Sequence, residues 1–353
     1  MVSMEELLNL MVQRGGSDLH ISVGSPPKIR VDGKLYDTEH EVLTPEVTQK
    51  LVYSVLTQAQ TAKLEKNLEL DFSFGAQGLG RFRTNAFMQR GTVASTLRII
   101  PFEVYEFAQL GLPVSVCEYI CSLHKGLVLV TGATGSGKST TLASMVDYLN
   151  RSRQGHIVTV EDPIEFLHRN QSCLVNQREV GGDTHGFAQA LRSVLRQDPD
   201  IVLIGEMRDL ETIEAALTLA ETGHLTFATL HTADCVQTVS RIIDVFPSHQ
   251  QQQIRTLLSF SLQGVISQQL LPKSNGRGRA LAAEVMIVNA AIRALIRDDK
   301  THQVYSIIQT GGKLGMKTMN QSLYELYRSN TVSYEDVMAV CPDRAEFQRL
   351  IQK

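Results

Sequence analysis

Two hydrophobic rhythms divide this chain of 353 residues. In the first hundred residues, apolar positions either alternate or recur at helical spacing. Residues 4–13 (MEELLNLMVQ) carry the helical pattern, and 18–23 alternates as a strand does. KIRV-DG-KLY reads as a β-hairpin turning at Asp32 and Gly33. Thr44-Pro45-Glu46 is a helix start with proline at the first helical position, and the pattern runs to about Asn67. Strand-like runs follow at 69–74, 81–89 and 92–99, separated by glycines. Residues 1–99 are therefore expected to form a small α+β domain with an antiparallel sheet. Pro101 opens a stretch, 100–112, that reads as a linker.

Beyond it the rhythm changes. Runs at 126–131, 156–161, 200–205 and 225–230 are apolar without alternation, which predicts strands buried on both faces. Helical patterns at 138–150, 185–196, 209–222 and 234–244 lie between them. Strand–helix alternation of this kind predicts an α/β domain over 113–353, a parallel sheet covered on both sides. After Pro247 the chain reads as mostly helical. A Gly-rich loop at 275–278 and a strand at 280–287 interrupt it, and a helical tail occupies about 289–353.

The chemistry lies where these runs end. Residues 132–139, GATGSGKS, match G-x-x-x-x-G-K-[ST] between a strand and a helix. Glycines let backbone N–H groups turn inward around phosphates, and the helix N-terminus adds favourable partial charge. Gly132, Ala133, Thr134, Gly135, Ser136, Gly137, Lys138, Ser139 and Thr140 are thus the expected ATP-binding residues. Lys138 is expected on the β- and γ-phosphates, Ser139 on Mg2+, and Thr140 near the α-phosphate.

In an open parallel sheet, ligands sit at the carboxyl ends of strands. Glu161, with Asp162 beside it, and Glu206 end two such strands. Glu206 is the candidate for polarising the attacking water, and Glu161 for holding magnesium and positioning water. The stretch IVLIGE has Gly205 where a Walker B strand usually has Asp, which moves weight onto Glu161. In TGHLTFATLHT (222–232), His231 falls on the nucleotide side and is a candidate γ-phosphate contact. His224, at the other end, reads as an interface residue. RecA-like ATPases often complete a site with a neighbour's arginine. Arg81 and Arg83 in GRFRTN share one strand face, and Arg98 ends the next strand. These three are the candidates for catalysis in trans, with Arg192, Arg196, Arg208, Arg241 and Arg255 as further possibilities.

Composition bears on another class. Net charge is -3, Trp is absent and no Lys/Arg run occurs, so a nucleic-acid translocase on a RecA-like core ranks low and no nucleic-acid partner is expected. The five cysteines form no C-x-x-C pair, which argues against a zinc ribbon and for a reducing compartment. The N-terminus does not read as a signal peptide, and no apolar run approaches the roughly 20 residues of a membrane span. A cytoplasmic protein is expected, reaching a membrane only through partners.

GATGSGKSTT, HIVTVEDPIEF (156–166), LRQDPDIVLIGEMRD (195–209) and TGHLTFATLHT resemble, in order and spacing, the Walker A, Asp-box, Walker B and His-box elements of secretion and type IV pilus ATPases. SDLHIS and PPKIRVDGKL resemble that family's PAS-like N-terminal domain, so the likeness spans nearly the whole chain. AIRALIRD (291–298) and GMKTMNQSLYEL (315–326) are similar to segments of its pilus-retraction branch. The resemblance implies a RecA-like P-loop core and a homohexameric ring with nucleotide between domains. It implies an inner-membrane pilus platform protein as partner, pilus retraction and twitching motility as output, and room for a second retraction ATPase. It also leaves open an accessory ATPase of the same family. Read on its own, 291–298 is an amphipathic helix with Ile292, Leu295 and Ile296 on one face and Arg293 and Arg297 exposed; by resemblance it couples hydrolysis to retraction.

Overall fold

The computed structural model describes residues 2–31, 33–100 and 102–352; the expected turn residue Asp32 and Pro101 lie outside these. The chain forms two compact units, dividing between Glu103 and Val104.

The first unit contains α1 (Met4–Gln13), β1 (Asp18–Ile21), β2 (Lys28–Val31), β3 (Lys34–Asp37), α2 (Pro45–Tyr53), α3 (Gln58–Asn67), β4 (Glu69–Ala76), β5 (Gly80–Gln89) and β6 (Thr92–Ile100). Its strands form one antiparallel sheet in the order β3-β2-β1-β6-β5-β4. The helical run expected to Asn67 is two helices. Thr57 breaks it by capping α3, its hydroxyl accepting from Gln60 N while Gln60 Oε1 accepts from Thr57 N. Leu19, Ile29, Phe82 and Leu97 line one sheet face and are buried with Leu7, Met11, Val52 and Leu64 of the helices. The alternation that buries them sends their chain neighbours to the other face. There the strand register sets Arg30, Asp18, Arg98 and Arg83 in one row.

The second unit contains α4 (Phe107–Leu110), α5 (Val114–Ser122), β7 (Gly126–Thr131), α6 (Lys138–Ser152), β8 (His156–Glu161), β9 (Leu174–Glu179), α7 (Phe187–Val194), β10 (Ile201–Ile204), α8 (Leu210–Glu221) and β11 (Leu225–Leu230). It continues with α9 (Cys235–Asp244), α10 (Ser248–Ser261), β12 (Leu262–Pro272), β13 (Arg279–Ile287), α11 (Ala290–Arg297), α12 (Val304–Thr310), α13 (Met319–Arg328), α14 (Tyr334–Val340) and α15 (Arg344–Ile351). The sheet order is β13-β12-β7-β11-β10-β8-β9, parallel throughout except for the β12–β13 pair. β7, β10 and β11 are buried at every position, as their unbroken apolar runs predict. In the stretch read as a linker, Phe107 and Leu112 are buried in this unit's core.

Two strands lie where none was expected. β9 (LVNQRE) is a polar edge strand with no apolar run. β12 follows α10 without a break, so the region after Pro247 is less helical than its pattern implies. Leu262-Gln-Gly-Val-Ile-Ser-Gln-Gln carries polar groups at buried positions, Ser267 and Gln268, and these disguise a strand beside β7. α11 forms as expected with Ile292 and Ile296 buried, but Arg293 is not free on its surface. It donates to the carbonyls of Ser259 (2.7 Å) and Phe260 (2.9 Å), at the end of α10, where helical carbonyls lack partners of their own.

Phe227 is fully buried at the centre of β11. Phe227→Ala is expected to destabilise the second unit by about 3–5 kcal/mol, read as a lowered midpoint in denaturant unfolding. A loss below about 1 kcal/mol would show that the face of the strand carrying Phe227 is not close-packed.

Candidate active site

The parallel strands β7, β8, β10 and β11 end on one edge of the sheet, and the loops that follow them carry the candidate residues. The loop after β7 needs backbone that a side chain would forbid. Gly132 has φ 136°, and a Cβ there would lie 2.3 Å from the Gln268 carbonyl oxygen of β12. Gly137, with φ 90°, turns the chain into α6 at Lys138. Ala133, Thr134 and Gly135 at the apex are exposed, whereas Ser136 is buried. The hydroxyl of Ser136 is buried without a hydrogen-bond partner, an unfilled polar position under the loop.

Lys138 is 8% exposed. Its ammonium donates to the carbonyls of Gly132 (2.9 Å) and Ala133 (3.0 Å) and lies 3.4 Å from His231 Nδ1. Burial pushes its pKa down, and the Glu206 charge works against that fall. His231 Nε2 in turn meets Glu206 Oε1 at 3.1 Å. A proton on Nε2 donates to the carboxylate and leaves the Nδ1 lone pair to accept from Lys138, so the neutral ring satisfies both contacts. Arg208 completes the line, donating to Glu206 through Nε (2.5 Å) and a terminal nitrogen (2.8 Å). Burial raises the Glu206 carboxyl, but the hydrogen bonds from Arg208 and His231 outweigh it and hold the group below the usual range.

Glu161 sits differently. It lines a cavity of about 30 Å³ together with Ser139, Thr159, His168, Gly205 and Thr229. Thr159 Oγ1 donates to it at 2.6 Å and Gln177 Nε2 at 3.3 Å. Burial nevertheless pushes its pKa up to about 7. Gly205 has a local reason: a Cβ there would stand 3.2 Å from Glu161 Cα and 3.3 Å from the Val160 carbonyl, closer than ordinary contact. An Asp here, as in a usual Walker B ending, would need the β8 backbone to give by a few tenths of an ångström. For magnesium, the Ser139 hydroxyl and the Glu161 carboxylate are hard oxygen donors lining the same cavity, which suits the ion. Among the described residues no group of three or more His, Cys, Asp or Glu could hold a metal. Water and phosphate oxygens would have to complete the coordination, as is usual for magnesium.

The family model described as "Type II/IV secretion system protein" matches residues 3–339. The chain belongs to this family. Among type II/IV secretion system relatives, the "Type IV pilus retractation ATPase PilT" of Pseudomonas aeruginosa is 51% identical over 331 residues, 94% of this chain and 96% of that protein. The "Type IV pilus ATPase PilU" of the same organism is 41% identical over 349 residues, 99% and 91% of the two chains. The solved structure described as the pilus retraction motor PilT with bound ADP superposes with a TM-score of 0.92 at 52% identity, over 99% of this chain and all of that one.

The arginines proposed from the sequence of this secretion-system protein separate into two groups. Arg81, Arg83 and Arg98 share one face of the first unit's sheet. Arg98 Nε pairs with the buried Asp18 at 2.7 Å, Arg81 donates to Ser73 Oγ at 2.5 Å, and Arg83 stands opposite both Arg98 and Ser73 in register. In the second unit Arg208 is bound to Glu206, Arg192 to Glu211 (2.7 Å) and Arg255 to Asp299 (2.9 Å). His224 Nδ1 donates to the Leu219 carbonyl at 3.0 Å, at the end of α8 and far along β11 from His231. Sequence reasoning did not find Gln177 on β9, nor Gln268 and Arg279 on the β12–β13 hairpin. Arg279 donates to the Gly135 carbonyl at 3.3 Å, and Gln268 Nε2 to Thr141 Oγ1 at 2.7 Å. Their only signal would have been the strands that carry them.

The folded protein holds the Glu161 proton to about pH 7, whereas an unfolded chain releases it near the ordinary value of 4.5. This group therefore favours folding below about pH 4.5, and the benefit is lost as pH rises to about 7. Without nucleotide or magnesium, Glu161→Gln is expected to melt above the parent protein at about pH 8 and level with it at about pH 4.5. An offset that is the same at both pH values would show that Glu161 is not held neutral.

Proposed function

We propose that this chain is an ATP-hydrolysing motor that powers type IV pilus retraction as a homohexamer. The observation that carries the reading is the line Arg208–Glu206–His231–Lys138 at the phosphate loop. It occurs in a chain 51% identical to a retraction ATPase over nearly the full length of both. The higher identity to PilT than to PilU favours retraction over an accessory role.

In this reading Gly132 to Thr140 cradle the phosphates of ATP, and Lys138 leaves its loop carbonyls for the β- and γ-phosphate oxygens. Ser139 and Glu161 hold magnesium, which neutralises phosphate charge when bound. Glu206 accepts a hydrogen bond from the water that attacks the γ-phosphorus. That attack requires Arg208 to give up part of its hold on the carboxylate. His231, joined to both Glu206 and Lys138, senses the γ-phosphate. Arg81, Arg83 and Arg98 act in trans on a neighbour's nucleotide. No helix among the described residues is long and apolar enough to cross a membrane. The motor is cytoplasmic and meets the inner membrane through a pilus platform protein, with a second retraction ATPase as a further partner. No nucleic-acid partner is proposed.

Purified protein is expected to release phosphate with a specific activity that climbs as concentration passes through assembly. Glu206→Gln should lower kcat by ~10²-fold or more with nucleotide still bound. Arg83→Ala should lower it by a similar or larger factor. Activity independent of concentration and of Arg83 would mean that one chain completes its own site, and the ring would be lost as the working unit. Stimulation by single-stranded DNA would point to a translocase instead.

A further inference from the structure

Glu284 lies on β13, is 2% exposed, and belongs to none of the four motifs. Its two oxygens serve two different helices. One accepts the N–H of Cys235, the first residue of α9, at 2.8 Å. The other accepts the N–H of Met319, the first residue of α13, at 3.4 Å. Each of these N–H groups is unpaired within its own helix, and each helix N-terminus favours negative charge. Burial raises the carboxyl's pKa, and the Cys235 and Met319 amides work against the rise.

The neighbours of Glu284 repeat the pattern. Ser267 faces it across the hairpin and donates to the Ala233 carbonyl at 2.8 Å, so 231–235 is pinned at two adjacent points. Ala283 N donates to Ser322 Oγ at 3.0 Å, and Val285 pairs with Lys317, so β13 also grips the start of α13. The same hairpin abuts the phosphate loop through Gln268 and Arg279.

We infer that Glu284 is a positioning residue that sets the His231 loop and ties it to the first turn of α13. The part of this inference concerning turnover rests on the role proposed above for His231. Glu284→Gln keeps the volume but turns an amide N–H2 toward one of the two helix N–H groups, donor against donor.

The test combines amide exchange with a double-mutant cycle. Without nucleotide, exchange is expected to quicken at one of Cys235 and Met319 in Glu284→Gln and at both in Glu284→Ala, whether or not His231 takes part in hydrolysis. Glu284→Gln is also expected to lower kcat about tenfold with KM for ATP within about twofold, because the Lys138 contacts remain. In a His231→Ala background it should change kcat by less than about twofold. Ser267→Ala should lower kcat in the same way but more weakly, with exchange at Met319 unchanged, and serves for the His231 loop if Glu284→Gln folds poorly. Equal factors in both backgrounds, or a lowered melting temperature with kcat unchanged, would overturn the positioning role. Unchanged exchange at Met319 in Glu284→Ala would overturn the tie to α13. If His231→Ala alone leaves kcat intact, it is the His231 reading that fails, and the exchange measurement then decides the joint by itself.

Discussion

A full positive charge under the phosphate loop constrains everything around it. The Lys138 ammonium is almost wholly removed from water, and an unpartnered buried charge would cost several kcal/mol. It is satisfied by two carbonyls of its own loop and by one imidazole nitrogen. Turning those carbonyls inward needs the left-handed residues at Gly132 and Gly137. Presenting a lone pair at His231 needs the other ring nitrogen to spend its proton on Glu206. Glu206 can carry that bond and the Arg208 pair together because it is ionised. Each partner supplies a hydrogen bond to the next, so the line works as a unit.

The parallel core was legible because burial on both faces leaves a crude mark, an apolar run with no alternation. The loop and both carboxylates followed from the ends of those runs. The residues that were not legible sit on strands chosen by their neighbours. β9 is held by pairing with β8 and has little apolar content of its own, so Gln177 was invisible as a support for Glu161. β12 places Ser267 and Gln268 in a buried layer where they bond to a loop carbonyl and a threonine. Polar side chains that find partners inside a fold break the binary pattern from which strands are read. Arg293 failed for a related reason, since helical periodicity shows which face a residue occupies but not whether another helix ends there.

The first unit uses the opposite economy. Its sheet has one apolar face, and the residues between the core positions are free to carry charge. Asp18, buried at 3% exposure, sits between Arg30 and Arg98 in the strand register. Burial raises its carboxyl, and bonds from Ser17 and Arg98 more than reverse this, so it stays ionised as a counter-charge inside a basic row. The spacing of Arg81 and Arg83 was visible from period two alone. The acid that balances the row is some sixty residues earlier, and only the pairing of β1 with β6 brings it there.

β11 has a mechanical consequence. Its six residues are buried at every position, with β7 on one side and β10 on the other. At one end His224 is bonded to the close of α8, and at the other His231 touches the phosphate loop. Such a strand spans roughly 20 Å at about 3.3 Å per residue and has no slack to absorb a displacement. Extended backbone locked into two ladders stretches and bends very little. One rigid strand therefore fixes the distance between the phosphate loop and the close of α8.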